Sequence, residues 1–120
     1  MRILIVDDSR AMRMIIRRAL RQAGYGSHDV VEAGNGREAL DVVEQRSPDL
    51  VLADWNMPVM NGLELLENMT RAGSPIPLGF VTSECTPQMR KLARRAGASF
   101  FIAKPFTADV LQAALAPFIR

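Results

Sequence analysis

The chain has 120 residues, 48% of them hydrophobic, and a formal net charge of +2 at pH 7, which suits a single domain with one proper core and argues against a nucleic-acid binder. A single cysteine, Cys85, excludes an internal disulfide and fits a reducing compartment. No apolar stretch nears the ~20 residues that span a bilayer, and the N-terminus enters a strand at once without room for a signal peptide, so the expectation is a cytoplasmic protein with no membrane insertion.

Strand and helix patterns alternate along the chain. Short apolar runs predict strands at Arg2–Val6, Asp29–Ala33, Leu50–Ala53, Leu78–Thr82 and Ser99–Ala103. Helices are predicted at Ser9–Ala23, Gly36–Gln45, Gly62–Arg71, Pro87–Ala96 and Ala108–Phe118. The first helix sets Met12, Ile15, Ile16, Ala19, Leu20 and Ala23 on one stripe, and the last does the same with Val110, Leu111, Ala114, Leu115 and Phe118. Asn35 with Glu38, and Asn61 with Glu64, have capping-box spacing; Thr86-Pro87 reads as an N-cap followed by proline at the first helical position. Gly24, Gly73 and Gly97 follow helices, where a left-handed residue is wanted. The alternation implies a parallel sheet covered on both faces. No linker or repeat interrupts residues 1–120, so the expectation is one domain with no output domain attached.

The polar residues at the strand ends carry the chemistry. Asp7 and Asp8 close the first apolar run, Asp54 closes the third, and Lys104 closes the last. Ligands of such sheets bind beyond the carboxyl ends of the strands, so three carboxylates and one ammonium are expected to converge on one edge. Carboxylates held together repel, and a divalent cation removes that penalty; hard oxygen ligands with room for water suit Mg²⁺. Asp8 or Ser9 has a competing reading as the cap of the first helix, and Asp54 as a polar strand end. Thr82 and Ser83 end the fourth strand, where hydroxyls and backbone N–H groups can meet an anion, and Lys104 offers phosphate oxygens a point charge.

The chain resembles the receiver domain of two-component response regulators, most closely the single-domain chemotaxis regulators of the CheY type. The resemblance rests on Val6-Asp7-Asp8-Ser9, Asp54-Trp55-Asn56-Met57-Pro58, Asn61-Gly62-Leu63-Glu64-Leu65-Leu66, Val81-Thr82-Ser83-Glu84, Ala96-Gly97-Ala98-Ser99 and Lys104-Pro105-Phe106-Thr107, which span nearly the whole chain. It implies a flavodoxin-like, doubly wound α/β fold with strand order 2-1-3-4-5 and five helices. It implies that Asp54 accepts a phosphoryl group from a phosphohistidine on a CheA-like sensor histidine kinase. Asp7, Asp8, Asp54 and the backbone carbonyl of Asn56 would hold Mg²⁺, and Lys104, Thr82 and the Ser83 amide would bind the phosphoryl oxygens. The Lys104-Pro105 bond would be cis. Asn56 and Glu84 would tune hydrolysis, so the chain's only catalysis would be its own phosphoryl transfer and dephosphorylation.

The resemblance also implies a switch. Thr82 would move toward the phosphoryl group and the Phe101 ring would turn inward, reshaping a face made by the fourth helix, fifth strand and fifth helix, where a downstream target docks. Chemotaxis regulators commonly carry tyrosine at this position, so Phe101 keeps the steric part of the switch and loses a hydroxyl. A packed core residue is the competing reading for Phe101. Gly79 and Phe80 are unusual in an aliphatic strand. Arg10, Arg13, Arg17 and Arg21 line one stripe of the first helix, while Arg90 with Arg94 and Lys91 with Arg95 repeat on the fourth. These read either as solvated faces or as docking surfaces for acidic partners. Met57 and Met60 read either as a contact loop or as packing, and His28 as a surface residue away from the site.

The leading reading is a phosphorylation-controlled binding switch in chemotaxis or motility signalling. A phosphate sink and a phosphorylation-independent interaction module are the alternatives. A phosphatase of the haloacid dehalogenase type is disfavoured, because Asn56 stands where that chemistry needs an acid.

Overall fold

Five parallel strands form one sheet in the order β2-β1-β3-β4-β5, flanked by five helices, in a computed structural model that describes residues 1–119. In chain order the elements are β1 (Arg2–Val6), α1 (Arg10–Gln22), β2 (Asp29–Ala33), α2 (Gly36–Arg46), β3 (Leu50–Ala53), α3 (Gly62–Arg71), β4 (Leu78–Thr82), α4 (Pro87–Ala96), β5 (Phe101–Ala103) and α5 (Ala108–Leu115). This is the expected flavodoxin-like arrangement. Crossover helices leave the central strands no wet side, which is why β3 and β4 are buried along their whole length.

Side chains alternate between two apolar layers, as the two-residue period of a strand requires. Ile3, Ile5, Leu50, Leu52, Val81 and Ile102 face α1 and α5. Leu4, Val6, Val51, Ala53, Leu78 and Phe80 face α2, α3 and α4. Gly79 now has a physical account. It faces the first layer, where a Cβ would stand 2.1 Å from the Phe100 ring, so the missing side chain makes room for Phe100 against Phe118.

The helix limits follow from their caps. Ser9 lies outside α1 as its N-cap, accepting from the Met12 N–H, and Ala23 is its C-cap. Asn61 and Glu64 form a full capping box on α3. Asn35 and Glu38 form only half of one: Asn35 caps the Glu38 N–H, but the Glu38 carboxylate takes the Gly34 N–H at 2.8 Å instead. Gly24, Gly73 and Gly97 all have positive φ, as expected of residues that stop helices. β5 begins at Phe101 rather than Ser99, although Ser99 N–H and Phe100 C=O still bond to β4. α5 ends at Leu115 rather than Phe118 because Pro117 has no N–H to continue the ladder.

Candidate functional site

Each strand end aims its next residue into one space. The backbone ladder runs one residue past the strands, through Asp7 N–H to Ala33 C=O, Asp54 N–H to Val6 C=O and Lys104 N–H to Thr82 C=O. Residues far apart in sequence therefore meet. The Lys104 ammonium lies 2.8 Å from Asp7 Oδ2 and 3.2 Å from Asp54 Oδ2. These are sheltered contacts: the Asp7, Lys104 and Asp54 side chains are 2%, 10% and 12% exposed. Asp8 sits on the open side, and carboxylate oxygens of Asp7, Asp8 and Asp54 fall within 4.8 Å of one another.

Three carboxylates against one ammonium leave negative charge in excess. The donors are all hard oxygens, a set that fits a divalent cation. Of the two cap candidates, Ser9 takes the role on α1 and Asp8 does not. Asp7 Oδ1 accepts the Ser9 N–H at 2.9 Å, and Asp54 Oδ1 accepts the Trp55 N–H at 2.7 Å. One oxygen of each carboxylate is thus fixed by backbone and the other is turned to Lys104.

Thr82 is fully buried, and its hydroxyl has no hydrogen-bond partner. An unpaired buried hydroxyl costs about 1–3 kcal/mol, so its position marks a place where a further acceptor would be welcome. Ser83 and Glu84 directly follow Thr82, Asn56 follows Asp54 by two residues, and all three are exposed. The Lys104-Pro105 bond is cis. Phe101 lies on the same sheet face as Thr82, two pairs away along β4 and β5. Its half-buried ring packs beside Phe80 and Trp55, with centroids 5.9 and 6.4 Å away.

Several supports escaped the sequence reading. Arg13 lies on the arginine stripe of α1, but it donates to the Asp7 carbonyl at 2.6 Å and pairs with Glu32. Glu32 also takes Arg17, so these two arginines belong to the α1–β2 seam. The signal was Glu32 itself, an acid on β2 beside a helix of arginines. Gly62 lets α3 start against the end of β3: a Cβ there would stand 2.2 Å from the Asp54 carbonyl oxygen. Met57 and Met60 pack against the α2–α3–α4 core layer, which settles them as packing. His28 lies near the N-terminal amine, 3.2 Å from it, at the opposite edge of the sheet. At that edge the Arg2 guanidinium beside Asp29 holds the exposed carboxyl below the usual carboxylate range.

The family model for the response regulator receiver domain matches residues 3–116. The chain belongs to the response regulator receiver family. Its receiver relatives include chemotaxis protein CheY1 of Helicobacter pylori, 41% identical over 116 residues that cover 93% of this chain and 91% of that one. Chemotaxis protein CheY-3 of Vibrio cholerae is 39% identical over 115 residues, covering 93% of this chain and 86% of the relative. Among solved receivers, Vibrio cholerae CheY4 superposes with a TM-score of 0.85 at 29% identity, covering 98% of each chain. The acidic pocket of this receiver is compatible with divalent-metal binding. Among the described residues, no helix is long and apolar enough to cross a membrane.

Proposed function

We propose that this receiver is a Mg²⁺-dependent phosphoryl acceptor that switches binding to a separate target protein, most plainly in chemotaxis signalling in the cytoplasm. The observation that carries the reading is the buried, unpartnered Thr82 hydroxyl beside the strand end where Lys104 reaches Asp54.

In the transfer, a free oxygen of Asp54 attacks the phosphorus of a kinase phosphohistidine. An O–P bond forms, the N–P bond breaks, and the imidazole leaves with the electron pair. The Trp55 N–H keeps Asp54 Oδ1 in place, so Oδ2, the oxygen facing Lys104, is the one presented. Lys104 then follows the charge from the carboxylate onto the new phosphoryl oxygens. The Thr82 hydroxyl donates to one of those oxygens and gains the partner it lacks at rest, with the Ser83 amide beside it. Mg²⁺, held by Asp7, Asp8, Asp54 and the Asn56 carbonyl, would supply the remaining charge neutralisation. Hydrolysis returns Asp54 when water attacks phosphorus and the acyl O–P bond breaks, with Asn56 and Glu84 governing access. As Thr82 shifts, the Phe101 ring follows inward and the α4–β5–α5 face changes shape for its target.

The test is incubation with acetyl phosphate and MgCl₂, followed by intact mass. One added phosphoryl group is expected, lost in Asp54→Asn and in EDTA. An unmodified parent protein would instead favour a phosphorylation-independent module.

A further inference from the structure

We infer that Arg13 is a positioning residue for Asp8: it clamps the Asp7 carbonyl and so fixes the peptide that aims Asp8 at the Mg²⁺ site, while Glu32 offsets the charge with which Arg13 would oppose the ion. This rests on the reading of Asp7, Asp8 and Asp54 as a Mg²⁺ site, and it adds what keeps the exposed ligand of that site in place.

The first observation is an asymmetry among the acids. Asp7 and Asp54 each set one oxygen on a backbone N–H and the other on Lys104. Asp8 is exposed and, among the described residues, joins no ion pair. Mg²⁺ demands near-ideal octahedral geometry and is held best by ligands already in place, so whatever orders Asp8 governs the affinity of the site.

The second observation is how the backbone before Asp8 is held. The Asp7 N–H bonds the Ala33 carbonyl at the end of β2, 3.1 Å away. The Asp7 carbonyl, one residue past β1, accepts from Arg13 Nη1 at 2.6 Å. A peptide unit is planar, so the direction of that carbonyl also sets the Asp8 N–H and the line on which Asp8 leaves the strand. Arg13 is itself fixed: its side chain is 18% exposed, and its Nε donates to Glu32 Oε1 at 2.8 Å.

The third observation is charge. A guanidinium on the carbonyl next to a metal ligand repels the ion that it helps to seat. Glu32 lies against it, with its other oxygen on Arg17 at 3.0 Å, and lowers that repulsion. Position and charge therefore act in opposite senses. Were Arg13 only a nearby cation, its removal would tighten Mg²⁺ binding; as a clamp on Asp8, its removal weakens it.

The test titrates MgCl₂ into the metal-free full chain, read by calorimetry and by the fluorescence of Trp55, the residue after Asp54. Arg13→Met is expected to raise the Mg²⁺ Kd about tenfold, the size of effect typical of groups that orient metal ligands. Arg13→Lys keeps the charge and one donor, and should stay within about threefold of the parent. Arg17→Met removes a charge from the same seam without touching Asp7, and should change Kd by less than about twofold. In the Asp8→Asn background, Arg13→Met should add less than about twofold, because its effect runs through Asp8. Beryllofluoride, a phosphoryl mimic, separates seating of the ion from general damage to the pocket: at saturating MgCl₂ its midpoint in Arg13→Met should match the parent's. A Kd that falls or stays put in Arg13→Met overturns the clamp. So does an equal loss in Arg17→Met or in the Asp8→Asn background, or a beryllofluoride midpoint that moves as far as the Mg²⁺ Kd. Should Arg13→Met fail to fold in EDTA, Glu32→Gln decides: it frees the Arg13 charge and should raise Kd about threefold, and an unchanged Kd overturns the inference. If MgCl₂ gives no saturable response in the parent, the metal reading fails first and takes the clamp with it. A parent that binds Mg²⁺ beside an Arg13→Met that binds it equally well sinks the clamp alone.

Discussion

Lys104 reaches Asp7 and Asp54 and leaves Asp8 outside its pairs, although the three carboxylates lie within 4.8 Å of one another. Asp8 is therefore the acid that adds repulsion without local compensation. At this separation a unit charge pair is worth about 1 kcal/mol in bulk water, the limit that suits the exposed Asp8. Asp8→Asn is expected to stabilise the metal-free protein by about that amount. The same substitution should weaken the stabilisation that MgCl₂ confers by binding the native state alone. Urea unfolding in EDTA and in MgCl₂ reads both effects, and a variant less stable than the parent in EDTA would contradict this electrostatic account. The acids and the lysine were legible in the sequence because Asp7, Asp54 and Lys104 each directly follow an apolar strand run, with Asp8 next to Asp7, and strand ends point to one edge. Arg13 was not legible, because its partners Glu32 and the Asp7 carbonyl are set by how α1 lies over β1 and β2. Nor was the empty hydrogen-bonding capacity of Thr82, which depends on burial from every side.

At the scale of elements, β4 and β5 are fitted to each other by exchange of volume. Gly79 gives up a side chain so that Phe100 can occupy the α1–α5 layer, while Phe80 and Phe101 turn to the opposite layer beside Trp55. A sequence shows an odd glycine and two adjacent phenylalanines, but not that one makes room for the other. The pairing requires the register Phe80 to Phe101 between strands separated by a whole helix. Helix starts were easier to read, since a cap acts within three or four residues, as at Asn61 and Thr86. The half-formed box at Asn35 shows the limit: Glu38 could satisfy either of two nearby N–H groups, and sequence spacing does not choose between them. The volume exchange predicts that Gly79→Ala costs about 1–3 kcal/mol through overpacking against Phe100. Combining it with Phe100→Leu should cost less than the two single changes added together, by about 1 kcal/mol. Additive losses in thermal or urea unfolding would mean that the Phe100 ring is not what the new methyl meets.

Over the whole molecule, the pocket lies where the two core layers end, and those layers are unequally secured. α1 buries Ile16, Ala19 and Leu20, and α3 buries Gly62, Leu65, Leu66 and Met69, whereas α4 buries Ala93 alone. Local opening is governed by such burial, so the helix beside the Thr82–Phe101 path is held less tightly than α1 and α3. That combination suits the proposed switch: on that reading, charge arriving at Asp54 would need to move only β4, β5 and a lightly docked helix. β1 and β3, whose apolar runs are fully buried, would then stay as the fixed frame. Hydrogen exchange should therefore show α4 amides exchanging at least about tenfold faster than those of α3, a difference near 1.4 kcal/mol in opening free energy. Beryllofluoride with MgCl₂ should change protection in β4, α4 and β5 and leave β2 and α2 as they were. Uniform protection across the helices, or a response spread equally over the sheet, would mean that the domain moves as one body and that the uneven packing has no part in signalling.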